Sequence, residues 1–197
     1  MHRVQILAIL AVAIGQIACG GGSSRNQPPG PPQGPQIYLP LALGNTWSYD
    51  CGGGVTITDS VTQAVTVGGQ QTFALQLEFP NAPTQTFLLA NDSQGNTTFY
   101  GYLVNGTPMT VTPTAYISAN PKTSAKFDYP AQGGGTVNRS FFGFEPTNPT
   151  PLGVFQAASY NDNASGAKDI WGYAVGKGIM EQDHGSFDCK ITSFHVQ

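Results

Sequence analysis

The sequence predicts an all-β domain, mainly antiparallel, built as a curved sheet or a sandwich and preceded by a signal peptide and a disordered linker. Three observations carry that reading. Apolar residues recur at every second position, most clearly in Gln71 to Phe79, where Phe73, Leu75, Leu77 and Phe79 alternate with Thr72, Ala74, Gln76 and Glu78. Runs of this kind are bounded by glycine, proline and asparagine, the residues that turn a chain. No window offers an amphipathic helix longer than two turns.

The chain opens with Met1, His2 and Arg3 and continues apolar from Val4 to Ala18, interrupted only by Gln5, Gly15 and Gln16. A positive start before an apolar run of this length predicts a signal peptide over residues 1–18. A spanning helix needs about 20 apolar residues, and this run is shorter. Ile17, Ala18 and Cys19 resemble the end of a bacterial lipobox, although Gln16 stands where that pattern usually has leucine. The resemblance implies that Cys19 is acylated on sulfur and becomes the mature N-terminus, carrying the chain on a lipid bilayer. Gly20 after the cysteine, rather than aspartate, implies the outer membrane of the bacterial envelope. The competing reading is ordinary cleavage after a small residue. Residues 19–37, rich in glycine, serine and proline, have almost nothing to bury and predict a flexible and then extended tether.

Residues 38–197 amount to about one domain. Val55, Ile57, Val61, Val65 and Val67 share one parity, and Gly68 with Gly69 separates them from the Phe73 run, so a hairpin is expected there. Further strands are expected over 84–90, 97–104, 154–160, 170–175 and 187–196. Residues 105–151, with Pro108, Pro113, Pro121, Pro130, Pro146, Pro149 and Pro151, read as long loops with short strands, where binding often happens. In an oxidising compartment Cys51 and Cys189 should pair: each shares the apolar parity of its strand, and Cys19 is consumed by lipid. Two separate buried thiols are the alternative.

Tyr38 to Tyr49, YLPLALGNTWSY, and the later segments around Pro151, Gly153, Phe155 and around Trp171, Tyr173, Ala174, Gly176, Gly178, Ile179 resemble a group of uncharacterised bacterial envelope lipoproteins. The shared pattern is an opening P-L-x-x-G-x-x-W-x-Y, a P-x-G-x-F and a closing Y-A-x-G-x-G-[IV]. Val175 departs from it, as does the whole of 105–151. The resemblance implies an envelope location and an all-β fold, and no activity.

Only 10% of the residues are charged and the net charge is -3, with lysines and arginines scattered singly. No basic stripe exists for phosphate contacts, which argues against a nucleic-acid partner. No catalytic signature is present, and no cofactor is implied. Asp183, His184, Asp188 and His195 lack metal-ligand spacing, so no metal site is expected. Asp162 in YNDNASG, with Asn161, Asn163, Ser165 and Asp169, reads as a polar hairpin turn rather than a calcium loop. Trp47 and Trp171 are possible ligand-stacking residues, with core packing the favoured reading. The expected function is a non-enzymatic binding or envelope structural module whose ligand is a glycan, a lipid or an envelope protein. The alternative is an envelope hydrolase whose carboxylates, such as Asp128 and Glu145, converge in a cleft.

Overall fold

The computed structural model describes residues 35–164 and 167–197. Residues 1–18 and Cys19 lie outside the described residues, as does most of the tether. Among the described residues no helix occurs, and twelve strands form one antiparallel sheet: β1 Thr46–Asp50, β2 Thr56–Val67, β3 Gln70–Phe79, β4 Ala82–Asn91, β5 Thr97–Val104, β6 Thr107–Ile117, β7 Lys126–Pro130, β8 Thr136–Pro146, β9 Gln156–Ala164, β10 Ala167–Ala174, β11 Gly178–His184 and β12 Phe187–His195. The hydrogen-bonded order is β6-β5-β4-β3-β2-β1-β12-β11-β10-β9-β8-β7. Two six-stranded meanders therefore meet along β1 and β12. The free ends, β6 and β7, lie beside each other without a ladder, so the sheet curls into a nearly closed barrel. Of the two expected architectures, the curved sheet is the one formed.

Alternation explains how the inside is filled. Leu75 and Leu77 of β3, Phe87 and Leu89 of β4, Phe99 and Tyr102 of β5, and Tyr160, Trp171 and Tyr173 of β9 and β10 all point into one core. The hairpin between β2 and β3 turns at Gly68 and Gly69, whose φ angles of 56° and 83° are open to glycine at no steric cost.

Two expectations need correction. Val65 and Val67 do not share the face of Ile57 and Val61. A register shift between Val61 and Gln63 inserts one residue, and beyond it the odd positions face outward, where Val67 joins Ala74 and Leu88 in a small second cluster. The segment 105–151 is not mainly loop, for it holds β6, β7 and β8. Its prolines misled because β6 and β7 are the sheet's two edge strands, where a residue without N–H breaks no ladder.

Cys51 and Cys189 form a disulfide with Cα atoms 3.9 Å apart. Asp50 pairs with Lys190, so the cysteines are the next opposed pair on the β1/β12 ladder. The domain also begins earlier than Tyr38. Gln36 is buried, and the Ile37 carbonyl accepts a 2.8 Å hydrogen bond from Gly176 N.

Candidate functional site

Four side chains at one level of the barrel wall are placed by strand register alone. Arg139 of β8 lies opposite Asp162 of β9, Asp162 opposite Asp169 of β10, and Asp169 opposite His184 of β11. Directly opposed residues share a face, so these polar groups form a row across the inner surface. Arg139 is fully buried, and its guanidinium grips Asp162 with two bonds, Nε to Oδ1 at 2.7 Å and Nη2 to Oδ2 at 2.6 Å. Tyr129 donates to the same Oδ2 at 2.9 Å. The guanidinium carbon lies 3.8 Å from the ring centre of Tyr116. Burial, the largest single influence, would lower the Arg139 pKa, but Asp162 together with the surrounding Tyr116, Tyr173 and Tyr129 outweighs it and holds the guanidinium firmly cationic.

The row continues inward from its other end. His184 Nδ1 lies 3.2 Å from Asp169 Oδ1, and its ring sits between Phe79 and Trp171 at centroid distances of 5.0 and 5.1 Å. Gln182 Nε2 donates to Asp59 Oδ2, leaving Gln182 Oε1 to accept from His184 Nε2 at 2.9 Å. Asp59 lies on β2 between Ile57 and Val61, wholly buried, and accepts the Glu78 N–H at 3.0 Å. Burial pushes its pKa up to about 8.

Where Asp162 and Asp169 face the barrel end, a cavity of about 150 Å³ opens. Aromatic side chains of Phe79, Phe87, Tyr102, Tyr129 and Trp171 wall it, and Gln132 of the β7–β8 turn borders it. Two buried polar atoms on this wall lack a protein partner: the Trp171 Nε1 donor and the Gln132 Oε1 acceptor.

The residues expected from sequence divide sharply. Trp47 is fully buried, and its Nε1 donates to the Lys177 carbonyl at 2.6 Å. Its ring rests on Gly178, where an added Cβ would stand 2.6 Å from Cε2. It is a core residue with no face left for a ligand. Trp171 is 2% exposed, yet borders the cavity. Asp162 is not in a turn: it belongs to β9 and faces inward. Among the described residues, no three metal-ligating side chains converge, and Asp183, Asp188 and His195 join no site.

Asp128 and Glu145 do not meet either. Asp128 pairs with Asn138, and Glu145 lies seven residues further along β8, about 23 Å at 3.3 Å per residue. Both are exposed. Sequence reading missed Arg139 and Asp59, although each interrupts an apolar parity: Val137, Arg139, Phe141 and Ile57, Asp59, Val61.

No protein family matches the chain, and no curated protein matches it. The chain is similar to a crystal structure of a protein from Bacteroides fragilis described as exported and as having a YmcC-like fold, with 16% identity and a TM-score of 0.40 over 81% of this chain and 99% of that one.

Proposed function

We propose that the chain is a membrane-anchored extracytoplasmic lipoprotein whose β domain binds a small molecule without transforming it. The observation that carries the binding reading is the cavity walled by aromatic side chains. The anchor rests on the positive start, the apolar run, and Ile17-Ala18-Cys19 leading into glycine, serine and proline. Acyl chains on Cys19 would hold the protein on the bilayer without a spanning helix. The resemblance to envelope lipoproteins, and Gly20, support an outer-membrane position. A disulfide between Cys51 and Cys189 suits an oxidising compartment.

A hydrolase remains the second reading because Asp162 and Asp169 share the cavity. It is the weaker one. Both Asp162 oxygens are already taken by Arg139 and Tyr129, and about 150 Å³ accommodates one benzene-sized group rather than the two flanking a scissile glycosidic bond. The anchor is tested by intact mass of the mature N-terminal peptide. Acyl mass on Cys19, lost together with detergent-phase partitioning in Cys19→Ser, is expected; a wild-type peptide without acyl mass overturns it. Hydrolysis of an envelope glycan by the wild type and its loss in Asp169→Asn would overturn the non-enzymatic reading.

A further inference from the structure

Most of the large apolar side chains left exposed among the described residues gather at one end of the barrel: Ile37, Leu43, Phe144, Leu152, Val154 and Val175. Topology defines that end. There β8 and β10 finish, β1, β9 and β11 begin, and the chain enters the domain at Pro35. The 2.8 Å bond from Gly176 N to the Ile37 carbonyl sets Ile37 beside Val175, and the Phe144 ring lies 6.5 Å from that of Tyr38. Leu152 and Val154 belong to the β8–β9 connection, where Phe155 packs on Phe194. Lys177 Nζ lies 5.5 Å from the same Phe194 ring, so the β8–β9 connection and the β10–β11 turn form one surface. Phe144 is 51% exposed and Val154 57%, and an apolar patch gathered on one face marks an interaction site, unlike side chains scattered singly. The charges divide between the two ends as well. Lys122, Lys126 and Lys177 lie at this end with Asp92 and Glu145, whereas Asp50, Glu78, Asp183 and Asp188 lie at the other with Lys168 and Lys190.

We propose that this end of the barrel seats on the bilayer that carries Cys19, its apolar side chains entering the headgroup region while Lys122 and Lys177 meet anionic lipid. The proposal rests on the reading of the chain as a lipoprotein. Only residues 20–34 separate Cys19 from Pro35, a reach of at most about 50 Å when fully extended. An acylated Cys19 therefore confines this face near lipid, and weak apolar and electrostatic contacts suffice at the raised effective concentration. The cavity, bordered by the β7–β8 turn at the far end, then opens away from the membrane.

The test uses the acylated full chain reconstituted into vesicles of phosphatidylcholine and phosphatidylglycerol, with bromines near the top of the acyl chains to quench indole emission. Val154→Trp places an indole on the proposed face, and Met109→Trp places one by the β5–β6 turn at the far end. Both positions are exposed, and Trp47 and Trp171 are buried in both variants. Bromine quenching at 154 and none at 109 is expected. Adding Lys122→Ala and Lys177→Ala should lower the ratio of seated to free domain about fivefold for each lysine, read as emission recovered at 154; no recovery removes anionic lipid from the proposal. A chain that floats with the vesicles but shows no quenching at 154, or equal quenching at 109, overturns the seat and leaves the anchor standing. A chain that does not float overturns the anchor and the seat together. Emission of Val154→Trp that shifts to the blue with protein concentration in the absence of vesicles, without bromine quenching in their presence, assigns the face to a second copy and overturns the seat.

Discussion

Asp59 shows how one residue can make stability depend on pH. Its carboxyl is wholly buried and its pKa is pushed up to about 8, against 3.8 for an ordinary aspartate. The folded state therefore keeps a proton that the unfolded chain gives up. That contribution is fully present below about pH 4 and is lost as pH rises through about 8. Asp59→Asn, which mimics the protonated acid, should flatten the decline: the difference in Tm between variant and wild type should grow in the variant's favour from pH 5 to pH 8.5. A constant difference would show that Asp59 does not titrate in this window. Arg139 poses the complementary case. Removing it leaves Asp162 charged and buried without its partner, so Arg139→Ala should cost about 3–5 kcal/mol by urea unfolding. The double variant Arg139→Met/Asp162→Leu should recover much of that, because the cost lies in the orphaned charge rather than in the lost pair.

At the scale of elements, the turn between β10 and β11 links the two ends of the chain. The Lys177 carbonyl receives the Trp47 Nε1–H, Gly176 N binds the Ile37 carbonyl, and the Ile179 carbonyl accepts from Tyr49 Oη at 2.9 Å. The opening and closing sequence motifs touch one another here, which explains in packing terms why tryptophan, tyrosine and glycine occur together. Gly178 has a φ of 86° and lies under the indole. Gly178→Ala should therefore destabilise by about 2–4 kcal/mol, from left-handed strain plus overpacking. Unchanged stability would mean that the indole can move aside. Much at this scale was legible. The β2–β3 hairpin, β4, β5, β9, β10 and β12 follow from alternation and glycine. β6 and β8 were not, because proline density reads as loop until one knows that β6 is an edge. Nor was the outward turn of Val65 and Val67, since a bulge leaves no mark in a parity count.

For the whole molecule, the β1/β12 seam is where two meanders become one sheet, and the Cys51–Cys189 disulfide fastens that seam across a sequence separation of 138. A loop of that length restricts the unfolded chain by about 5 kcal/mol in the entropy account. Cys51→Ser/Cys189→Ser should lower unfolding free energy by up to about that amount, and the wild type should lose the same stability on reduction. Two alkylatable thiols in freshly isolated protein would contradict the bridge.

Sequence alone determined the all-β class, the inward face of β3, the glycine turn and the pairing of Cys51 with Cys189. Each depends on local periodicity or on parity, which a chain carries in itself. Only the tertiary structure decided that the sheet curls rather than splits into two layers, that Trp47 is core while Trp171 borders a cavity, and that Arg139, Asp162, Asp169 and His184 stand in one row. That row is drawn from four strands whose registers are set by bulges and by closure. An isolated polar residue in an apolar parity announces that it is buried, but its partner lies on another strand, and only the register brings the two together.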